Sequence, residues 1–460
     1  MAATHTPEGL TPALLDQVEA AILALTPSLT LIQADIHSHP ELAWQEHRTH
    51  DTTAGYMEKA GWDVTRHAYG LQTAWRAEKV VRDGKGRVVG FNSELDALPH
   101  GHACGHNLIA IAGMAAAIGT AQVMEANGVS GRVVLLGTPA EEAYGGKDFM
   151  LKRGAYDEMD VCLMTHPGIT GNGSWLPSMC CNAAFTIEYK GASAHAGAMP
   201  SAGVNALDAA VSGYTNVALL RQQIPDTHRI YNVLKGSEGW TANIITSNAK
   251  VMCGIRAPTA REVYKMIDRA LNCYKAAALA TGCSYTITKD ALYLDTQHST
   301  ELDSYLETVT QRWAGEGYSY RKFVTYGTTD FGNVTYKCPA LHPMFQLPDL
   351  PEGDFCRESE PCGCAYSDTY ANHTNSDSAV KAALRSATCL AAVALRAAVD
   401  DDWMATVKDK WEAQMAACEG HETVKELEAL LAPYPLSDVC AHAVCEDGWK
   451  DVAAKARAAA

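Results

Sequence analysis

The stretch HACGHN, from His102 to Asn107, places a thiol and an imidazole two residues apart in a glycine-framed segment. Cys104 and His106 could bind a metal ion, act as nucleophile and base, or lie in a tight turn. A nucleophile–base pair is disfavoured because the two side chains are too close along the turn to align, and no third residue that would orient the base is evident. Thiolate and imidazole are ligands of zinc-like metals. Such metals bind three or four protein ligands, so a metal site here requires further ligands elsewhere in the chain.

Candidate ligands follow three apolar runs that we predict to be strands. They are Glu94 and Asp96 after the first run, Glu141 and Glu142 after the second, and His166 after the third. Ligands bind beyond the C-terminal ends of the strands in open parallel sheets, so these side chains can converge with the HACGHN loop. His373, in ANHTNSD, is a fifth candidate ligand where the chain returns to the sheet.

Two adjacent carboxylates at the end of a buried run need a charge partner, because burying them uncompensated is costly. A divalent cation would satisfy one of the two carboxylates, and the other could then act as a general base beside it. A serine hydrolase is disfavoured, since the G-x-S-x-G pattern is missing from the sequence.

The elements that must position these residues form an α/β pattern. Four apolar runs predict buried strands, and helices separate the last three, which indicates a mostly parallel sheet with helices on both faces. The runs are Thr73 to Val80, Gly86 to Asp96, Gly131 to Glu142 and Met159 to Gly168, and residues 9 to 35 predict one amphipathic helix before them.

After residue 180 half-exposed strands alternate with two predicted helices, at about 204 to 223 and 260 to 281. This pattern indicates a small two-layer α+β unit inserted into the first domain. We therefore predict a discontinuous catalytic domain (1–180 and 290–400), an inserted α+β lid and dimerisation domain (181–289) and a C-terminal helical extension (401–460).

Composition limits the possible partners. The 460 residues carry a formal net charge of -16, which argues against nucleic acid as a partner. The N-terminus lacks the features of a secretory signal, and the apolar run from Leu108 to Ala121 is too short to span a bilayer. Fifteen scattered cysteines in a long chain favour reduced thiols, and thus a cytoplasmic protein without a membrane partner.

Seven motifs in fixed order, between about residues 30 and 400, resemble the aminoacylase and carboxypeptidase G-like metallopeptidases, the M20 family. They are HSHPELAWQEHRT, SELDALP, GHACGHN, GTPAEEAYGGK, MTHPG, GASAHAGAMPSAGVNALDA and YGTTDFGN. The chain looks most like the amidohydrolase branch with a bridging Cys, and within it like the group named for β-alanyl-lysine dipeptidase activity. The resemblance implies a phosphorylase/hydrolase-like catalytic domain with a lid.

The resemblance also assigns roles by motif. Cys104 matches a thiolate that bridges two metals, and the matching terminal ligands are His106, Glu142, His166 and His373. Glu141 matches the general base, Asp96 a carboxylate that orients the site, and His195 a lid histidine that polarises the scissile carbonyl, often in the partner subunit. Asn243 and Arg256 fall where lid residues contact substrate.

The expected function is metal-dependent hydrolysis of an amide bond in an N-acyl amino acid or dipeptide, by a homodimer that binds two divalent ions. Zinc is the preferred ion because of the thiolate, with manganese or cobalt as alternatives. Two other functions stay open. The same site could serve a specialised biosynthetic hydrolysis or an amide-forming reaction, or the chain could be a non-catalytic binding relative.

Overall fold

A computed structural model of the protein describes residues 9–168, 173–236, 239–313, 319–350 and 365–437. The helices are α1 (Pro12–Ala24), α2 (Thr26–Ser38), α3 (His47–Lys59), α4 (His106–Ala126), α5 (Gly146–Lys152), α6 (Ala206–Leu220), α7 (Ala260–Thr281), α8 (Thr300–Trp313), α9 (Phe331–Thr335), α10 (Asp368–His373), α11 (Asp377–Val399), α12 (Asp401–Ala417) and α13 (Glu419–Leu431).

The strands are β1 (Asp63–Arg66), β2 (Trp75–Val81), β3 (Val88–Glu94), β4 (Gly131–Thr138), β5 (Val161–Leu163), β6 (His166–Gly168), β7 (Gly173–Ser178), β8 (Cys181–Lys190), β9 (Ala194–His195), β10 (Arg229–Lys235), β11 (Ile244–Ile245), β12 (Asn248–Ala257), β13 (Ser284–Tyr293), β14 (Ser319–Val324), β15 (Ala340–Leu341) and β16 (Met344–Gln346).

The central sheet has the order β1-β2-β4-β3-β5-β15, and its last four strands are parallel. Val89 and Phe91 of β3 belong to the core that α1, α4 and α11 cover. Val134 and Leu136 of β4 belong to a second core, which includes Phe149 of α5. Helices therefore cover both faces, and the predicted α/β class is confirmed.

The inserted unit is an antiparallel sheet of order β10-β12-β8-β13, with α6 and α7 packed on one face. Alternate residues of its strands, such as Ile187 and Val251, form a core with these helices. The opposite face, which carries Ala184 and Met252, lines a cavity at the catalytic domain. The α+β lid is thus confirmed as a class of structure, while the domain limits stay a prediction.

Two predicted elements are each divided in the structure. The helix predicted over residues 9 to 35 is wrong as a single element, because α1 and α2 meet at a bend of 50° beside Pro27, whose ring is tolerated only in the first turn of a helix. The run from Met159 to Gly168 forms two strands. β5 lies in the central sheet and β6 lies in a separate sheet of order β14-β7-β16-β6.

The C-terminal residues that are described form α12, which packs against α8, and α13, which packs against α7 of the lid. Residues 438–460 lie outside the described part of the chain. Among the described residues, the helices α4 and α11 are long and apolar enough to cross a membrane by length and composition. The expectation that the run from Leu108 to Ala121 is too short is therefore wrong for the longer helix that contains it. The two helices pack against each other, and 94% and 72% of their apolar windows are buried inside the protein.

Candidate metal centre

The HACGHN loop connects the central sheet to α4 and lies against β6. Gly105 has a φ of 84° at the start of α4, and a Cβ atom there would lie 2.4 Å from Cγ of Pro167. Glycine is therefore required both for the backbone conformation and for the close approach. The approach brings Cys104 Sγ to 3.3 Å from Nε2 of His166.

Asp96 joins two of the predicted ligands. One carboxylate oxygen accepts a hydrogen bond from His106 Nδ1 at 3.1 Å, and the other accepts one from the backbone N–H of Glu142 at 2.9 Å. With Nδ1 directed at Asp96, Nε2 of His106 faces the other side chains of the cluster. Hydrogen bonding of a ligand's second ring nitrogen to a carboxylate is the usual way that proteins orient a metal-binding histidine.

Glu141 and Glu142 lie on a strained turn. Ala140, directly before them, has a φ of 57°, which costs free energy in a residue other than glycine. The buried Glu46 supports the turn, since Oε1 accepts hydrogen bonds from the backbone N–H groups of Ala140 and Trp44, both at 2.9 Å. Strain of this kind persists only where surrounding contacts enforce it.

The ligand atoms of these residues converge on a small volume. Nε2 of His106 lies 3.6 Å from Glu142 Oε1 and 3.7 Å from Glu141 Oε2. One ligand atom from each of Cys104, His106 and His166 lies within 4.8 Å of the other two, and the same holds for His106, Glu141 and Glu142. The geometry thus brings together four of the five predicted ligands and the predicted base.

The unsatisfied polar atoms of the cluster fit a cation. His106 Nε2, Glu142 Oε1 and Glu94 Oε2 are buried, and they have no hydrogen-bond partner among the described residues. Buried polar atoms are almost always paired, so three such atoms around one point indicate a missing positive ligand. Thiolate, imidazole and carboxylate are together the donor set of zinc-like divalent ions.

The electrostatics of the protein alone agree with this interpretation. Burial lowers the pKa of His166 to about 4, so its ring is neutral, and Nδ1 donates to the carbonyl of Pro167 at 2.7 Å, which leaves Nε2 free to bind. Burial, together with the carboxylates of Glu94 and Glu142, raises the pKa of Glu141 well above its usual range. A divalent cation would reverse that shift and hold the carboxylate ionised.

A buried ion-pair triad lies behind the cluster. Nζ of Lys147 is 2.6 Å from Glu94 Oε1 and 2.6 Å from Asp330 Oδ1, and all three side chains are fully buried. Oε2 of Glu94 lies 3.3 Å from Nε2 of His106. Lys147 and Asp330 were not predicted as site residues, because their partnership with Glu94 exists only in the folded chain.

The cluster opens into a cavity of about 460 Å³ between the catalytic domain and the lid sheet. Glu141 and Glu142 line it together with Arg256, which was predicted to contact substrate. Arg256 donates to the carbonyl of Tyr326 at 2.7 Å, whereas its Nε atom is buried without a hydrogen-bond partner in the described chain. Tyr366, whose hydroxyl lies 3.3 Å from Glu142, was not predicted and closes one side.

Three predicted residues lie away from the cluster. His195 is exposed on β9, where Nδ1 accepts hydrogen bonds from the N–H groups of Gly197 and Ala198, and Asn243 is exposed beside it. Neither lines the cavity. Nε2 of His373 is hydrogen-bonded to the carbonyl of Pro348, and His373 belongs to none of the ligand clusters in the described chain. The roles of these three residues stay predictions.

The chain is similar in sequence to known amide hydrolases. No model of a known protein family matches the chain. The chain is 40% identical over 327 residues to the Xaa-Arg dipeptidase of Mus musculus, a match that covers 68% of this chain and 75% of that protein. It is 31% identical over 283 residues to a subunit of the p-aminobenzoyl-glutamate hydrolase of Escherichia coli, covering 57% of this chain and 58% of that protein.

The fold has solved relatives as well. A dinuclear metal binding peptidase of the M20 family from Bacillus subtilis superposes with a TM-score of 0.53 at 18% sequence identity, and the match covers 80% of this chain and 98% of that one. The match to this peptidase shows a similar fold, whereas the match to the dipeptidase shows a similar sequence. Together with the convergent ligands, these matches show that the chain belongs to the M20 family of metal-dependent hydrolases that act on amide bonds.

Proposed function

We propose that the protein hydrolyses the amide bond of an N-acyl amino acid or a dipeptide, with Glu141 as the general base. The observation that carries the proposal is the convergence of Cys104, His106, Glu142 and His166 beside Glu141 at the end of a cavity. A cavity of this size, with a few charged groups at one end, suits a small molecule rather than a polypeptide.

In this proposal each residue has one task. Cys104, His106, Glu142 and His166 would hold divalent metal, which would supply Lewis-acid chemistry by polarising a carbonyl and making water more acidic. Asp96 orients the His106 ring and the Glu142 backbone through its two hydrogen bonds. Glu141 accepts the proton of the attacking water and passes it to the leaving amine.

We propose two ions and prefer zinc, with manganese or cobalt as alternatives. The support is the number and kind of donors: Cys104, His106 and His166 lie within reach of one another, Glu142 adds a further donor beside His106, and a thiolate can bridge two ions. A sulfur ligand favours a borderline-soft ion. The ten cysteines of the described chain are all free, which supports the proposal that the protein works in a reducing compartment such as the cytoplasm.

Arg256 supports a substrate that carries a carboxylate. It lines the cavity, its Nε has no hydrogen-bond partner among the described residues, and guanidinium groups bind carboxylates strongly. Free carboxylates occur at the C-terminal end of dipeptides and N-acyl amino acids. Because the Mus musculus relative is an Xaa-Arg dipeptidase, dipeptides that end in arginine are the first substrates to test.

Hydrolysis of a panel of amides, read by mass spectrometry, tests the proposal. The panel holds dipeptides, β-alanyl dipeptides, N-acyl amino acids and aryl amides, each with zinc, with manganese and with a chelator. We expect cleavage that the chelator abolishes and that added metal restores, and metal analysis of the active protein should find about two ions per chain. Cleavage that persists in metal-free protein would contradict the proposal.

We further propose a homodimer formed through the lid, in which His195 acts in the partner's site. In support, His195 is exposed and does not line the cavity of its own chain. Val211, Tyr214 and Leu219 of α6 are exposed large apolar residues, and β10 is an edge strand of the lid sheet. Exposed apolar residues clustered beside a strand edge are typical of an interface between protein chains.

Mixing two inactive variants tests action in the partner's site. His195→Ala and Glu141→Gln each impair every site of their own homodimers, but a mixed dimer has one site with both residues intact. Equal mixing under conditions of subunit exchange should recover about a quarter of wild-type activity if subunits pair at random. If size measurements show mixed dimers but activity does not return, His195 does not act across the interface.

A further inference from the structure

The hydroxyl of Tyr366 lies at the edge of the metal centre, on the side of the cavity that Glu141 and Glu142 line. It donates to Oε2 of Glu142 at 3.3 Å and lies 4.0 Å from Sγ of Cys104. The other oxygen of Glu142, Oε1, faces His106 and has no hydrogen-bond partner among the described residues. The hydroxyl is therefore next to the ligand cluster without occupying the carboxylate oxygen that a cation would bind.

The backbone fixes Tyr366 in this position. Its N–H donates to the carbonyl of Ala103 at 2.8 Å, so it is attached directly to the loop that carries Cys104. On its other side Ser367 caps α10 by accepting a hydrogen bond from the N–H of Tyr370 at 3.1 Å. The φ of Tyr366 is 67°, which is unfavourable for a bulky residue. Strain of this kind persists only where surrounding contacts enforce it, and it is common at active sites.

Two other tyrosines of the cavity use their hydroxyls within the fold. Tyr293 donates to the backbone carbonyl of Glu141 at 2.5 Å, and Tyr231 donates to Oδ1 of Asn182 at 2.9 Å. Tyr366 is 55% exposed, and the acceptor of its hydroxyl is a proposed metal ligand. A phenol with an ordinary pKa of about 10 keeps its proton at neutral pH, so this hydroxyl is a hydrogen-bond donor beside the place of reaction.

We propose that Tyr366 is a catalytic residue whose hydroxyl donates a hydrogen bond to the oxygen of the scissile carbonyl as that oxygen gains negative charge. The inference rests on the proposed function, in which Glu141 activates the water that attacks the same carbonyl. The hydroxyl exchanges its acceptor on Glu142 for the substrate oxygen and keeps its own proton. Because a hydrogen bond to a charged acceptor is stronger than one to a neutral carbonyl, it stabilises the transition state more than the bound substrate. His195 does not line the cavity of its own chain, so Tyr366 supplies a donor from within the chain.

The variant Tyr366→Phe tests the proposal, because it removes the hydroxyl and keeps the ring. We expect kcat to fall about 100-fold with KM nearly unchanged, which is the usual effect of losing one donor to a developing oxyanion. The number of bound metal ions should equal that of the wild type. A phosphinic dipeptide analogue carries a tetrahedral, negatively charged centre like that of the transition state, and calorimetry should find that it binds the variant about 100-fold more weakly. Affinity for the free amino acid product should stay the same.

The matched control is Tyr231→Phe, which removes a hydroxyl from the same cavity that donates to Asn182. It should leave kcat and the affinity for the analogue close to those of the wild type. If Tyr366→Phe loses bound metal, the hydroxyl holds Glu142 in place and does not act on the substrate, which would overturn the proposal. An equal loss of affinity for the analogue and for the product would overturn it as well, because the hydroxyl would then bind the ground state.

Binding of the phosphinic analogue separates this inference from the proposed function. If the wild-type protein cleaves no amide but binds the analogue more tightly than Tyr366→Phe does, the proposed reaction fails while the role of the hydroxyl as a donor to a tetrahedral oxyanion is supported. If the wild-type protein and Tyr366→Phe cleave amides equally fast, the proposed function is supported and Tyr366 is not a catalytic residue.

Discussion

Glu141→Gln should lower kcat by about two to four orders of magnitude, because glutamine cannot accept the proton of the attacking water. KM should change little, since the amide keeps the shape of the side chain. The folded protein should be at least as stable as the wild type. Glu141 lies in one cluster with Glu94 and Asp330 and in another with Glu142, and burial and these carboxylates raise its pKa, so in the metal-free protein the substitution removes a carboxyl group that is costly to bury.

The variant Glu142→Gln is the control that distinguishes loss of the general base from loss of a metal ligand. Glu142 is a predicted ligand, so its variant should lose bound metal together with activity, whereas Glu141→Gln should keep its metal. Steady-state kinetics, metal analysis and thermal unfolding of both proteins would check the pair. If Glu141→Gln also loses its metal, Glu141 acts as a ligand; if it keeps both metal and activity, another group takes the proton.

Much of this site could be predicted from sequence, because each part of it is marked by a short pattern of neighbouring residues. Apolar runs that end in carboxylates or histidine predicted the strand ends, and parallel strands place those ends together. Asp96, Glu142 and His166 are the candidates that follow from that rule. The HACGHN loop was identified by residue type, and the close contact of Gly105 with Pro167 explains how it reaches His166.

Other features could not be predicted, because they depend on tertiary contacts. A short apolar run does not reveal which sheet it joins, so the division of Met159 to Gly168 between β5 and β6 was missed. Lys147 stands in an ordinary helix start, and only folding brings Glu94 and Asp330 to its amine. Residues 348 to 370 read as an enlarged loop before His373 that we predict to line the mouth of the site. The segment lies largely outside the described residues, so this role stays a prediction.

Position relative to a second chain is likewise invisible in one sequence. His195 and Asn243 were assigned by motif, and the structure puts His195 on β9 and Asn243 directly before β11, both exposed. Motif matching thus identifies a residue without stating which site it serves. Whether a lid residue serves the site of its own chain or that of a partner chain depends on its distance from each site, which a motif does not give.

Lys147→Met should destabilise the protein by about 3–5 kcal/mol, the usual cost of breaking a buried ion pair on one side. The amine is the positive charge placed between Glu94 and Asp330, and its pKa is raised because those two carboxylates outweigh the effect of burial. Methionine fills similar volume, so the loss would report charge rather than packing. Equilibrium unfolding in denaturant would measure it.

The control lies in the same helix. Lys152 pairs with Asp148 at the surface, and Lys152→Met should change the free energy of unfolding by less than about 1 kcal/mol. Adding Glu94→Gln to Lys147→Met should recover part of the lost free energy of unfolding, because one carboxylate without a positive partner is then removed. The size of the recovery measures the coupling between Lys147 and Glu94. If Lys147→Met and Lys152→Met had the same free energy of unfolding, the ion-pair triad behind the metal centre would not stabilise the protein.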